Sequence, residues 1–379
     1  MAGTRILVIA DEYYACLAAV RALRAAGYEP WVGSTTPDGY AQRSRAVAGV
    51  LPLPSPSAGE QAFVEAVVAA ASSCGAAAVL PGNESSVLAL SGASSEFDVM
   101  HGLSKRDAVL GVTDKESLAR LAAASGLLTP SGRTIEPGEV PAADDNLQFP
   151  AVVKPRAGAL QSEMAIHEVP DAVKVRSLPE LKRVVGAWPE LAWLVQPFIR
   201  GRLTAVAGVS QDGQVLCTVH QAARRTFPRD CGVSAFAETV PRDQPLDEGL
   251  RRLLAASGLS GIWEAQFITA GDGTYLIDLN PRPYGSLALA VAAGLNLPAI
   301  WIDALLGRER PVGEYRVGQR FRAEMRDLGF LTQALASHDV RAAASVLVPR
   351  RRTTHAVFSV RDPTPAVLLF RRIGVRAAT

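Results

Sequence analysis

The first hundred residues alternate between short apolar runs and longer amphipathic segments. Four-residue apolar runs indicate buried strands, and segments with apolar residues three or four apart indicate helices. The pattern predicts strands at 6–9, 30–33 and 77–80 and helices at 15–26 and 61–73. Strands that alternate with helices are typical of a parallel sheet covered by helices. We therefore predict an α/β domain over residues 1–111.

The turn after the first predicted strand argues against a dinucleotide site. Such a site needs Gly-x-Gly-x-x-Gly at this place. The residues here are Ala10-Asp-Glu-Tyr-Tyr14, which include no glycine and two acids that would repel a pyrophosphate. Glu84 follows the third predicted strand, at the carboxyl end where ligands of open α/β sheets bind. It is a candidate substrate contact, with a helix N-cap at Asn83-Glu84 as the alternative.

Residues 261–286 carry the strongest chemical signal: two apolar runs joined by a Gly-Asp-Gly turn, the usual sign of a tight hairpin. Because side chains alternate along a strand, Asp278, Asn280 and Arg282 point the same way. Gln266 on the partner strand adds a second amide oxygen. Hard oxygen ligands suit Mg²⁺ shared with phosphates, and arginine suits the charge that develops in phosphoryl transfer. Turn-forming Asp and Asn at a strand end are the alternative.

Two lysines stand out in a chain whose basic residues are almost all arginine. Lys154 lies in a short β-branched strand, where an unpaired buried ammonium would be costly, so we expect an anion beside it. Lys115 lies in the first turn of a predicted helix over 113–126, with Thr113 as its N-cap. Taken alone, Lys115 is an exposed helix residue.

The combination of these motifs resembles the ATP-grasp superfamily. The metal site of that family has Glu or Gln followed, twelve residues later, by Glu-x-Asn-x-Arg, and this chain has Gln266, Asp278, Asn280 and Arg282 at those positions. With Gln in the first position, the pattern is closest to that of the large subunit of carbamoyl-phosphate synthetase. Asp278 replaces the usual Glu and shortens the reach by one methylene.

The resemblance implies a mixed α/β and α+β protein. A flavodoxin-like, parallel-sheet N-terminal domain over 1–111 is followed by a two-lobed ATP-grasp domain over 112–307. The small lobe covers about 112–197 and the large lobe about 198–307. Residues 308–379 form a C-terminal extension packed on the large lobe.

The resemblance also implies roles for individual residues. Lys115 and Lys154 contact the ATP phosphates, and the strand around 193–201 holds adenine. The expected ATP-binding residues of that strand are Gln196, Pro197, Phe198 and Ile199, with the Pro197 C=O and the Ile199 N–H facing the base. Gln266, Asp278 and Asn280 hold the metal, Arg282 and Arg225 are catalytic, and Glu84 and Ser286 contact the substrate. For Arg225, solvated loop charge is the alternative.

The implied reaction joins a small-molecule carboxylate to an amine through an acyl phosphate and releases ADP and phosphate. ATP and Mg²⁺ are the implied cofactors, with Mn²⁺ as a substitute metal. Two alternatives stay open: a carbamoyl-phosphate or carboxyphosphate synthetase, suggested by Gln266, and a non-catalytic ATP-binding regulator.

The composition of the chain limits the kinds of partner that we expect. A net charge of +2 suggests neither nucleic acid nor a membrane surface as a partner. No apolar run reaches the roughly 18 residues of a membrane span. Cys16, Cys74, Cys217 and Cys231 are scattered without a Cys-x-x-Cys pair, so we expect buried thiols in a reducing cytoplasm. Related folds often pair, which leaves a homodimer open.

Overall fold

The N-terminal residues form a four-stranded parallel sheet with the order β3-β2-β1-β4. Its elements are β1 (Arg5–Ala10), α1 (Tyr14–Ala25), β2 (Glu29–Ser34), β3 (Gly49–Pro52), α2 (Glu60–Cys74), β4 (Ala78–Pro81) and α3 (Glu84–Gly92), with 3₁₀ turns at Ala41–Arg43 and Pro56–Ala58. The computed structural model describes residues 3–11, 13–93, 101–142, 147–161, 166–168 and 170–378, so Glu12 lies outside the described residues. The predicted parallel sheet is confirmed.

Both faces of this sheet are covered. Alternation along β1 sends Ile6 and Val8 toward α1, and Leu7 and Ile9 toward α2 and α3. The strand order reverses between β1 and β4, and ligands of open parallel sheets bind at such a point, outside the carboxyl ends of the strands. Glu84 begins α3 at this place.

The small lobe is built on a four-stranded antiparallel sheet with the order β5-β10-β6-β9. Its elements are α4 (Arg106–Thr113), α5 (Lys115–Ala124), β5 (Arg133–Ile135), β6 (Ala151–Pro155), β7 (Ala159–Gln161), β8 (Ile166–Glu168), β9 (Val173–Val175), α6 (Leu178–Gly186) and β10 (Trp193–Pro197). The predicted cap of α5 is corrected: Asp114 accepts the Ser117 N–H at 2.9 Å, and Thr113 ends α4.

The large lobe is a seven-stranded sheet with the order β15-β14-β11-β12-β13-β16-β17. Its elements before the C-terminal segment are β11 (Arg202–Gln211), β12 (Gln214–Phe227), β13 (Val233–Thr239), α7 (Gln244–Ser257), β14 (Gly261–Ala270), β15 (Gly273–Asn280), α8 (Leu287–Ala293) and α9 (Leu297–Leu305). Trp263 and Phe267 pack on α5 and α7, whereas Ala207 and Val209 pack on α8 and α9. The predicted β14–β15 hairpin is confirmed.

The C-terminal residues extend the large-lobe sheet. They form β16 (Arg320–Arg322), α10 (Glu324–Ala336), α11 (Val340–Leu347), β17 (Thr353–His355) and α12 (Thr364–Ala378). Strand β16 pairs with β13, and β17 pairs with β16. Arg21 of α1 donates to Asp362 at 2.8 Å, which ties this segment to the N-terminal domain. The domain boundaries at residues 111, 197 and 307 stay predictions.

Helices α8 and α9 are core helices of this fold. In the part of the chain that the structure describes, no single helix has the length and apolarity to cross a membrane, and these two qualify only as a pair bent by 87°. All four cysteines carry free thiols. Cys16, Cys74 and Cys217 are buried as predicted, whereas Cys231 is half-buried.

Arg225 of β12 forms a buried ion pair with Asp327 of α10. Its Nε and Nη2 donate to the two carboxylate oxygens at 2.7 and 2.9 Å, and its Nη1 donates to the Ser345 carbonyl at 3.2 Å. The Phe236 ring lies 4.4 Å from the guanidinium carbon. The alternative of a solvated loop charge is therefore corrected: Arg225 is a buried residue of β12, and α10 packs on that strand and supplies the counter-charge. A catalytic role for Arg225 stays a prediction.

Replacing Asp327 with alanine is expected to lower the free energy of unfolding by about 3–5 kcal/mol, because Arg225 and Arg322 both lose a buried partner. Urea denaturation measures the loss. Glu314→Ala is the matched control: Glu314 pairs with Arg242 but its side chain is 86% exposed, so the change should stay below about 1 kcal/mol. Equal effects of the two substitutions would contradict the assignment of a desolvated pair.

Candidate functional site

Antiparallel pairing of β14 with β15 arranges four polar side chains as two cross-strand pairs. Glu264 lies opposite Asn280, and Gln266 lies opposite Asp278. Residues that are directly opposite in an antiparallel pair share one face of the sheet. The polar groups predicted from the alternation of the hairpin therefore do face the same side.

A β-bulge beside these pairs positions Lys154. The register shifts directly after Gln266, so Ile277 of β15 has no residue opposite it. A bulge disrupts the ladder locally and leaves the extra residue unpaired. Lys154 Nζ donates to the Ile277 carbonyl at 2.6 Å. Because Lys154 belongs to β6, this hydrogen bond joins the small lobe to the large lobe at the site.

Glu264 is buried and accepts hydrogen bonds from three amide groups. Gln221 Nε2 donates to Oε1 at 2.9 Å, and Gln266 Nε2 and Asn280 Nδ2 donate to Oε2 at 2.9 and 3.4 Å. Gln221 Nε2 also donates to Ser286 Oγ at 2.7 Å. Burial raises the pKa of Glu264, against the hydrogen bonds from Gln266 and Asn280. These contacts link the predicted Ser286 to the predicted metal ligands.

Gln221 is a site residue that the sequence did not reveal. It reaches Glu264 across β11, where Ala205 is paired with Gln221 on one side and with Gln266 on the other. Alanine adds only one carbon to this face, so the longer side chains meet above it. The available signal is a single amide in a run of buried, mostly apolar residues of β12.

Two lysines and an arginine surround Asp278. Lys115 Nζ lies 3.6 Å from Asp278 Oδ1. Burial, and then the charge of Lys115, lower the pKa of Lys154 to about 7, while Asp278 acts in the opposite direction. Burial works against ionisation of Asp278, but the two lysine charges and then Arg282 outweigh it and lower its pKa. The excess of positive charge around one carboxylate suits an anionic ligand.

Glu84 joins this cluster from the N-terminal domain. Asn83 is the N-cap of α3 and forms a capping box with Ser86, so Glu84 itself does not cap the helix. Burial raises the pKa of Glu84, while the charges of Arg282 and Lys115 lower it. Among the described residues, nothing donates a hydrogen bond to Glu84 Oε1. A buried carboxylate oxygen without a donor can be satisfied by a ligand.

The loop after β6 passes directly over Glu84. A Cβ atom on Gly158 would collide with the Glu84 carboxylate, so glycine is what allows this close approach. The loop that follows Lys154 therefore closes one side of the cluster.

Strand β10 presents two backbone groups at its end. Phe198 donates its N–H toward β6, to the Pro150 carbonyl at 2.9 Å. Since backbone groups of successive residues point to opposite sides of a strand, the Pro197 C=O and the Ile199 N–H point away from β6. Strand β5 lies on that side but pairs only as far as Val195. An acceptor and a donor two residues apart therefore lie beyond the edge of β5.

The other two residues predicted on this strand make internal contacts. Gln196 donates its side-chain amide to the Pro130 carbonyl at 3.1 Å. The Phe198 ring lies 3.9 Å from Lys174 Nζ. Gln196 therefore helps to shape the small lobe rather than presenting a free amide.

The cluster draws on the N-terminal domain and on both lobes. It contains Glu84, Lys115, Lys154, Gln266, Asp278, Asn280, Arg282 and Ser286. Arg225 is held in its ion pair with Asp327. A parallel-sheet domain followed by two lobes, with lysines and an amide–carboxylate hairpin at their junction, is the architecture of ATP-grasp proteins.

Part of the chain matches an ATP-grasp family model. Residues 190–326 match the family model described as ATP-grasp in the biosynthetic pathway with Ter operon. No curated protein matches the sequence.

Several solved structures share the fold at low sequence identity. The L-amino acid ligase from Bacillus licheniformis has a TM-score of 0.63 and 16% identity, over 84% of this chain and 79% of that one. The N5-carboxyaminoimidazole synthetase from Staphylococcus aureus, complexed with ADP, has a TM-score of 0.65 and 13% identity, over 89% of this chain and 87% of that one. The biotin carboxylase from Campylobacter jejuni has a TM-score of 0.62 and 15% identity, over 83% of this chain and 74% of that one. The likeness at these identities concerns the fold.

Lys154→Met is expected to raise the free energy of unfolding at pH 7–8 and to lose this advantage near pH 10. The Lys154 pKa is about 7 in the folded protein, against roughly 10.4 in an unfolded chain. Between these values the unfolded state binds one more proton, so stability falls as the pH falls from about 10 to 7.

Urea denaturation of the wild type and the variant at several pH values measures this difference. Lys182→Met, at an exposed position of α6, is the control. A difference between wild type and Lys154→Met that does not change with pH would contradict the assignment.

Proposed function

We propose that this protein is an ATP-dependent ligase that joins a carboxylate to an amine through an acyl phosphate. The observation that carries the proposal is the meeting of Lys115, Lys154 and Arg282 around Asp278, next to the amide–carboxylate pairs of β14 and β15. Excess positive charge beside oxygen ligands suits a nucleotide triphosphate with its metal. The likeness to an L-amino acid ligase supports the same reaction class.

ATP would lie between the two lobes. The Pro197 C=O can accept from the exocyclic amine of adenine, and the Ile199 N–H can donate to a ring nitrogen. Lys154, held near the large lobe by its bond to Ile277, can contact the phosphates together with Lys115. A bound phosphate would also supply the counter-charge that the Lys154 ammonium lacks.

The donor set fits Mg²⁺, with Mn²⁺ as a substitute. Gln266, Asp278 and Asn280 offer hard oxygen atoms, and Glu264 lies beside them. The described ranges contain no group of three His, Cys, Asp or Glu side chains placed to hold a metal. Mg²⁺ needs no such cage, since it is commonly held by one or two carboxylates together with substrate phosphates. When bound, the ion would neutralise negative charge on the phosphates.

The residues then assist two displacements. A substrate carboxylate oxygen attacks the γ-phosphorus, and the bond to the β–γ bridging oxygen breaks, which releases ADP. Arg282 lies where it can stabilise the charge on the transferring group. The amine nitrogen next attacks the acyl carbon and expels inorganic phosphate. Glu84, with an oxygen that lacks a donor, can receive a hydrogen bond from the amine.

The direct test follows ADP and phosphate release from MgATP with pooled carboxylates and amines, bicarbonate included. ADP release that requires both a carboxylate and an amine supports the ligase. Release of AMP would exclude the acyl phosphate. Turnover with bicarbonate alone would favour the carboxyphosphate alternative, to which Gln266 points. ATP binding without turnover for any pool would favour the regulator.

Lys154→Ala and Asn280→Ala are each expected to reduce turnover by about 10²–10³-fold, because each removes a preorganised polar contact to the transferring group or its metal. Lys182→Ala, which removes an exposed lysine of the same lobe, should retain wild-type turnover. Steady-state ADP release measures all three. Near-wild-type turnover in either site variant would exclude the assignment of that residue.

A further inference from the structure

A second group of polar side chains lies beyond Arg282, beside Gly285 in the loop between β15 and α8. The rings of Tyr13 and Tyr14, where α1 begins, have centroids 4.6 Å apart and are tilted by 41°. Both hydroxyls lie over Gly285. A Cβ atom on Gly285 would collide with the Tyr13 hydroxyl and lie 3.4 Å from the Tyr14 hydroxyl. The proposed nucleotide and metal contacts use none of these three residues.

Arg326, in the first turn of α10, lies close enough to the Tyr14 hydroxyl to influence its pKa. Burial, and then the neighbouring Tyr13, raise the pKa of Tyr14 well above its usual range, while Arg326 opposes them. The hydroxyl is therefore neutral near pH 7 and cannot balance the guanidinium charge. Among the described residues, the exposed Asp171 also raises the pKa of Arg326, but it ranks behind both tyrosines.

Other arginines of the C-terminal segment differ from Arg326 in their partners. Arg322 pairs with Asp327 at 3.0 Å, and Arg320 lies 3.5 Å from Glu238. In the described part of the chain, Arg326 has no carboxylate at ion-pair distance. A partly buried cation beside two neutral hydroxyls is poorly compensated by the protein alone. A guanidinium and two hydroxyls together can donate to both oxygens of a carboxylate.

We propose that Arg326, Tyr13 and Tyr14 form a subsite for a second, non-reacting carboxylate of the substrate. This inference rests on the proposed ligase function. Gly285 is three residues beyond Arg282, so their Cα atoms are at most about 11 Å apart. The reacting carboxylate lies beside Arg282 and the lysines, where the γ-phosphate is expected. The substrate class is therefore a small dicarboxylate, or an amino acid with an acidic side chain.

Calorimetry tests this subsite without requiring turnover. The probes are C3–C6 dicarboxylates and acidic L-amino acids, each titrated with and without MgADP, together with their monocarboxamides. Arg326→Met is expected to lower the affinity for the best-binding dicarboxylate by about 10-fold or more, because it removes a charge-assisted contact. Tyr14→Phe should lower this affinity less. The matching monocarboxamide should bind the wild type and both variants with the same affinity.

Two further variants separate the subsite from the fold. Gly285→Ala adds a Cβ against the Tyr13 hydroxyl and should also lower the affinity for the dicarboxylate. Arg341→Met, at an exposed position of α11, is the matched control and should bind like the wild type. MgATP affinity should stay within about 2-fold of wild type in Arg326→Met, as expected if the nucleotide site is intact.

The outcomes for the two proposals are distinguishable. Unchanged dicarboxylate affinity in Arg326→Met, or failure of every probe to bind the wild type, overturns the subsite. So does an equal loss of MgATP and dicarboxylate affinity, because it indicates a general structural defect. Failure of the wild type to bind MgATP would instead overturn the proposed function.

Discussion

Hydrogen bonding between β14 and β15 holds Glu264 opposite Asn280 and Gln266 opposite Asp278, and the rest of the site is arranged around these two pairs. A shift of one residue in this register would turn every one of these side chains to the other face. The bulge at Ile277 gives the hairpin a second function, because its free carbonyl receives Lys154 from the other lobe. The hairpin therefore determines both the arrangement of these polar side chains and the position of the Lys154 ammonium.

The charges of the site are balanced by one another more than by solvent. Asp278 stays ionised because two lysines and Arg282 surround it, and Lys154 is held at a lowered pKa by burial and by Lys115. Such an arrangement stores unfavourable charge in the absence of a ligand. An anion that entered the cluster would relieve part of this cost.

Two segments distant in sequence meet at the loop from Arg282 to Ser286. The N-terminal domain contributes Glu84 and the two tyrosines, and the C-terminal segment contributes Arg326 through its addition to the large-lobe sheet. The Arg225–Asp327 pair is part of the same construction, because it fixes α10 against β12. Arg225, a predicted catalytic residue, thus helps to position α10, the helix that carries Arg326.

The sequence by itself determined the local features of this protein. Alternation with a period of two assigned Asp278 and Asn280 to one face, a Gly-Asp-Gly turn predicted the hairpin, and a lysine in a β-branched strand marked Lys154. These signals are local because strand geometry and turn conformation depend on neighbouring residues. Only the tertiary structure decided that Arg225 meets Asp327, that Gln221 reaches Glu264, and that Arg326 meets Tyr14. Those pairs are separated by tens to hundreds of residues, and their contacts follow from sheet order and helix packing, which no single local pattern encodes.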